Sequence, residues 1–82
     1  MSKRKLLRKV LSGSKNIAFS DIVLLAESFG FRLSRVNGSH HIFSHPDTSE
    51  LVNLQEVEGK AKPYQVKQLL RIVEKYGLEM EE

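Results

Sequence analysis

The sequence predicts an α+β domain in which helices cover one face of a three-stranded antiparallel sheet, in the order α-α-β-β-β-α. Apolar residues recur at helical spacing in three stretches, 3–12, 20–29 and 63–76, and alternate in short runs between 31 and 57. An Asn37-Gly38 pair falls between two of those runs, a hairpin signal. With 82 residues, 40% of them hydrophobic and 28% charged, the chain has material for one core and no second. Residues 1–82 are therefore read as a single domain, with a basic helical extension over 1–15 and the main core over 19–78.

The first helix spans 3–12, with Leu6, Leu7, Val10 and Leu11 on one stripe and Gly13 as its stop. At about ten residues it is marginal alone and must dock on a partner element. Ser12 to Asn16 is a polar connector. Ser20 is an expected N-cap for the second helix, followed by Ile22, Leu25, Ala26 and Phe29, with Gly30 at the C′ position.

Phe31 to Val36 alternates as a strand, and Asn37-Gly38 suits a type I′ turn that returns the chain along Ser39 to Ser44. His45-Pro46-Asp47-Thr48-Ser49 is a loop, and Leu51 to Val57 is a third strand ended by Gly59. A basic bend, Gly59 to Lys62, precedes Pro63, which fits the first position of a last helix. That helix buries Val66, Leu69, Leu70, Val73 and Tyr76 and stops at Gly77, leaving the acidic tail 79–82 free to fray. Helices on one side and a bare sheet face on the other is the arrangement of a double-stranded-RNA-binding-type domain.

Composition narrows the partner. There is no cysteine, hence no disulfide framework, which suits a reducing cytoplasm. No apolar run approaches the ~18 residues of a membrane span, and the basic start is not followed by a signal-peptide core. Net charge is only +3, but Lys3, Arg4, Lys5, Arg8 and Lys9 crowd one end, a distribution that favours a polyanion.

The usual catalytic sets are missing: no cysteine nucleophile, GxSxG elbow, P-loop or HExxH. Histidine remains. An unperturbed imidazole, with a pKa of ~6.5, serves as base or acid near neutrality and needs no metal to cleave RNA through the ribose 2′-OH. Strand alternation puts His40, Ile42 and Ser44 on one face and His41, Phe43 and His45 on the other. Each face carries one large apolar residue, so alternation alone leaves open which is buried. His41 and His45 lie ~13 Å apart at ~3.3 Å per residue, too far to share an ion. No metal and no cofactor are expected. Lys60 and Lys62 sit at the start of the last helix, where amides and dipole favour phosphate, and Lys67 and Arg71 continue the charge.

Gly38-Ser39-His40-His41-Ile42-Phe43, His45-Pro46, the Asn53-Leu54-Gln55 strand and the block Gly59 to Val66 together resemble HicA-type toxins of toxin-antitoxin systems. The resemblance covers roughly residues 19–78. It implies an mRNA-cleaving ribonuclease with His40 as the catalytic histidine, Gly38 keeping the turn tight and Ser39 starting the strand. It also implies neutralisation by a HicB-type antitoxin, with the free toxin monomeric and the pair hetero-oligomeric. Some members carry a second histidine in the third strand where this chain has Gln55, so that role does not transfer. His41, His45, Tyr64 or a lysine are alternatives for a general acid. The competing reading is a non-catalytic RNA-binding module on the same fold; a third is an interaction subunit whose hairpin docks a partner strand.

Overall fold

The computed structural model describes residues 3–13 and 16–81; Met1, Ser2, Glu82 and, within the expected connector, Ser14 and Lys15 lie outside the described residues. The elements run α1 (Lys3–Leu11), α2 (Phe19–Ser28), β1 (Arg32–Asn37), β2 (His40–Ser44), β3 (Val52–Val57), β4 (Lys60–Ala61) and α3 (Pro63–Lys75). The strands form one antiparallel sheet in the order β1-β2-β3-β4. The α+β class agrees with the sequence expectation, but the sheet has four strands rather than three. Lys60 and Ala61, expected as a bend, pair back on Val57 and Glu56. Their turn, Glu58-Gly59, has φ of 53° and 76°, the two left-handed positions of a type I′ hairpin.

The first hairpin differs from expectation in the opposite way. Asn37 ends β1 opposite His40, so the two-residue loop is Gly38-Ser39. Gly38 has φ 61° and Ser39 stays out of the left-handed region, the pattern of a II′ turn with glycine first. A bulge between Leu33 and Arg35 then shifts the register by one residue. Strict alternation would put Arg32 and Arg35 on opposite faces; the bulge brings both to one.

The core settles which face is covered. Phe43 of β2 and Val52 and Leu54 of β3 are buried with Ile22 and Leu25 of α2, Val66, Leu69 and Ile72 of α3, and Leu6 and Val10 of α1. His40, Ile42, Asn53 and Gln55 therefore belong to the uncovered face. Ile72 is fully buried although the expected stripe omits it, while Leu70, Val73 and Tyr76 pack at the margin.

Two helix starts are held by neighbours rather than by their own caps. The N-cap of α2 is Ala18, not Ser20, and no side chain caps it. Instead the Gly59 carbonyl accepts the Phe19 N–H at 2.8 Å, so the β3–β4 turn satisfies one of the helix's orphan donors. Near the start of α3, buried Gln65 turns its Oε1 to accept the Gln55 N–H at 2.6 Å. β4 ends at Ala61, so Gln55 has no strand partner on that side, and the side chain replaces one.

The tail expected to fray is docked through Glu81: Leu78 N–H donates to Val73 at 2.9 Å, Met80 packs on the core, and Glu81 N–H donates to the Ser28 carbonyl.

Gly30 closes α2 with φ 94°, its N–H on the Glu27 carbonyl and that of Phe31 on Ala26, a Schellman arrangement. A Cβ at Gly30 would lie 2.8 Å from His45 Nε2. Gly30→Ala is expected to combine ~1–2 kcal/mol of left-handed strain with that clash. Each lost kcal/mol lowers the melting temperature of a domain this size by ~4–8 °C. An unchanged melting curve would contradict this packing.

Candidate active site on the uncovered sheet face

His40 is the first residue of β2, immediately after the Gly38-Ser39 loop. Cross-strand pairs build rows on its face: Asn37, His40 and Gln55 form one, Arg35, Ile42 and Asn53 the next, and Arg32 pairs with Ser44 beyond a bulge. On the other side of β3, Lys60 pairs with Val57, which shares the parity of Asn53 and Gln55. The half-exposed imidazole thus stands on a sheet surface bearing Arg32, Arg35 and Lys60, with amide side chains between.

The ring is held from below. His40 Nδ1 lies 3.1 Å from Asn53 Oδ1, reaching diagonally across β2 and β3. Gln55, directly opposite His40, donates from Nε2 to Ser39 Oγ at 3.2 Å and so braces the turn. The Ser39 carbonyl accepts the Glu56 N–H at 3.0 Å. A Cβ added to Gly38 would meet nothing within 4 Å, so glycine there answers to the turn's φ rather than to space.

The other two histidines have structural settings. His41 lies on the covered face, its ring 4.7 Å from that of Phe19 and its Nδ1 3.2 Å from the Ser39 carbonyl. His45 accepts the Asp47 N–H at Nδ1, 3.0 Å, which puts the proton on Nε2, where the Phe29 carbonyl accepts it at 3.0 Å. A polar depression beside it, lined by Glu27, Phe29, His45, Tyr76 and Glu79, contains no free imidazole nitrogen and lies away from His40. Among the described residues, no cluster of histidine and carboxylate side chains could hold a metal ion.

The basic residues expected to contact phosphate do not come together. Lys60 lies on the face of His40. Lys62 precedes α3, its Nζ 5.9 Å from the centre of the exposed Tyr64 ring. Lys67 and Arg71 join Tyr64 and Gln68 along a shallow groove on the outside of α3, in the helix layer and so across the sheet from His40. The sequence expectations assign no role to Arg32, Arg35 or Asn53. The two arginines are legible as cations in a strand, but only the bulge, invisible in the sequence, puts them on one face.

A solvated ion pair joins the end of α3 to the loop before β3. Lys75 Nζ donates to Glu50 at 2.9 Å, holding that carboxyl below its ordinary value and Lys75 above its own. Both side chains reach solvent, so water screens the pair and little stability depends on it.

Fold and site define a small α+β domain that presents a half-buried imidazole, His40, on the uncovered and basic face of its sheet. A family model described as the HicA toxin of bacterial toxin-antitoxin matches residues 19–78, every element except α1. The chain belongs to the HicA toxin family. No curated protein and no solved structure matches it.

Proposed function

We propose that this chain is an endoribonuclease toxin that cleaves mRNA with His40, acts in the cytoplasm and is neutralised by a HicB-type antitoxin. The observation that carries this reading is the position of His40: half-exposed, one ring nitrogen engaged by Asn53, on a face that shares Arg32, Arg35 and Lys60. No helix among the described residues is long and apolar enough to cross a membrane.

The chemistry follows from the substrate. His40 Nε2 takes the proton of a ribose 2′-OH, the oxygen attacks the adjacent phosphorus, and the P–O5′ bond breaks as the departing 5′ oxygen is protonated. The products are a 2′,3′-cyclic phosphate and a free 5′-OH. The sheet-face cations and Lys62 neutralise the phosphates; Gly38 and Ser39 keep the turn low enough for the backbone to approach. Lys67 and Arg71, across the sheet, serve a more distant stretch of RNA. We read the helices-on-one-face arrangement as supporting a double-stranded-RNA-binding-type domain.

RNA incubated with the protein in the presence of a chelator tests the reading. Cyclic-phosphate ends are expected, and a single 2′-deoxy substitution at the cleaved position should block that cut. Products with 3′-OH ends, or loss of activity with chelator, would exclude the mechanism. The runner-up, a non-catalytic RNA-binding module, is favoured by one observation: Gln55, directly opposite His40, is an amide, which hydrogen-bonds but does not act as a general acid or base at neutral pH. It predicts binding without cleavage at any protein concentration.

Under either reading Arg35→Ala should weaken RNA binding uniformly across sequences and reduce the slope of log affinity against log salt by about 1. Filter binding from low to moderate salt measures it. An unaltered slope would take Arg35 out of the interface.

A further inference from the structure

We infer that Asn53 is a positioning residue that fixes the tautomer of His40, holding the ring proton on Nδ1 and turning the Nε2 lone pair outward. The inference rests on the ribonuclease reading for its catalytic consequence but not for its geometry. Asn53 lies on β3 opposite Ile42, two pairs along from His40 and Gln55 and so in the next row on the same, uncovered face. From there the amide reaches the ring with Oδ1 3.1 Å from Nδ1.

The atom facing the ring decides the chemistry. An amide oxygen accepts only, so Nδ1 must carry hydrogen, and in the neutral ring Nε2 is then unprotonated. The opposite amide orientation would point an NH2 group at Nδ1 and move the proton to Nε2, leaving no base facing solvent. The oxygen orientation also survives the reaction. When Nε2 takes a proton, both ring nitrogens become donors, and Oδ1 keeps its hydrogen bond, whereas an NH2 group would have to break away. Asn53 can thus serve the ring before and after proton transfer without moving.

The β2–β3 pairing makes the arrangement rigid. Four consecutive residue pairs, from His40 with Gln55 to Phe43 with Val52, join the two strands. Phe43, Val52 and Leu54 anchor the opposite face in the core. Asn53 therefore holds the imidazole from a backbone that cannot drift, as a second group must if it is to keep a base aimed.

The charged groups on this face of the sheet are Arg35, diagonal to His40 on β1, with Arg32 and Lys60 further off; His41 and Glu56 have the opposite strand parity, and Glu58 lies in the β3–β4 turn. The acceptor that lies against Nδ1 is the Asn53 amide oxygen, which is why this residue is singled out.

Long-range proton–nitrogen NMR on uniformly 15N-labelled protein reads the tautomer directly, with His40→Gln identifying the signals. Wild type is expected to show a protonated Nδ1 and an unprotonated Nε2 at a pH where the ring is neutral. Asn53→Ala should lose that preference, and its kcat for RNA cleavage should fall at least tenfold with little change in KM, part of the ~10²- to 10⁴-fold a positioned proton-transfer group supplies. Asn53→Asp keeps the acceptor, so it should restore the tautomer and most of kcat, while its negative charge moves the acid limb of the pH profile upward. Asn53 is half-buried on an open face, so both variants should fold, which circular dichroism checks.

An Nε2-protonated ring in the wild type, or a tautomer indifferent to Asn53→Ala, would overturn the inference. So would an unchanged kcat in Asn53→Ala. If the tautomer depends on Asn53 but the wild-type protein cleaves no RNA, the positioning stands and the ribonuclease reading falls.

Discussion

His40→Ala is expected to reduce RNA cleavage by ~10²- to 10⁴-fold, the range for removing a well-placed proton-transfer group. That corresponds to ~3–5 kcal/mol of lost transition-state stabilisation, at about 1.4 kcal/mol for each tenfold. RNA affinity should change far less, because Arg32, Arg35 and Lys60 remain on the face. Stability should also be nearly unaffected: the ring is half-exposed, and the Asn53 amide it leaves can turn to water. The contrast with His41→Ala is informative. His41 packs on Phe19 in the covered layer, so its replacement should lower the melting temperature before it lowers kcat in the folded protein. Single-turnover cleavage and thermal melts of both variants separate these effects. Wild-type rates in His40→Ala would remove the central residue of the site.

The largest expected stability effect lies outside the residues that match the family. Leu6 is 1% exposed and Val10 5%, both in the one core with Ile22, Leu25 and Leu69. α1 is thus a structural element and not an appendage; its start is also tied to the tail by Lys3 Nζ donating to the Glu81 carbonyl at 3.3 Å. Leu6→Ala should cost ~2–5 kcal/mol, the range for truncating a fully buried leucine. Against a total stability of ~5–15 kcal/mol for a small domain, that is a large fraction. Denaturant melts measure it, and Leu11→Ala, a change at a side chain 63% exposed, provides the control on the same helix. Equal, small losses in both would mean that α1 does not seal the core.

The helical faces were legible because period and punctuation agree. Pro63 at the first position of α3 and Gly30 after α2 mark ends that the structure keeps. The first hairpin was legible in outline and shifted in detail: Asn37-Gly38 is the stronger turn signal, but the loop forms at Gly38-Ser39 and the type I′ turn falls at Glu58-Gly59. Turn choice there follows the sheet, since Asn37 pairs with His40 while the Gly59 carbonyl caps α2. Single-strand periodicity contains neither fact.

His40 was legible as the residue to watch, but its face was not, because Ile42 and Phe43 compete for the core. Only packing against Phe31 and the helices decides for Phe43. The basic environment was the least legible part. Lys67 and Arg71 extend the charge of the α3 start along the chain yet face outward from the helix layer, while Arg32 and Arg35 join His40 through a one-residue bulge. Gln55 and Gln65 read as ordinary polar residues. Their work, bracing Ser39 and replacing a missing strand partner, depends on where β4 ends.

The most direct test of the account is where RNA lies. A short oligonucleotide bearing 2′-O-methyl groups, which block attack by the 2′ oxygen, can be titrated into 15N-labelled protein while amide and side-chain shifts are followed. The largest changes are expected on Arg32, Arg35, Asn37, His40, Asn53, Gln55 and Lys60, with the Asn53 side-chain amide among them. Changes concentrated on Tyr64, Lys67, Gln68 and Arg71, with the sheet face silent, would contradict it.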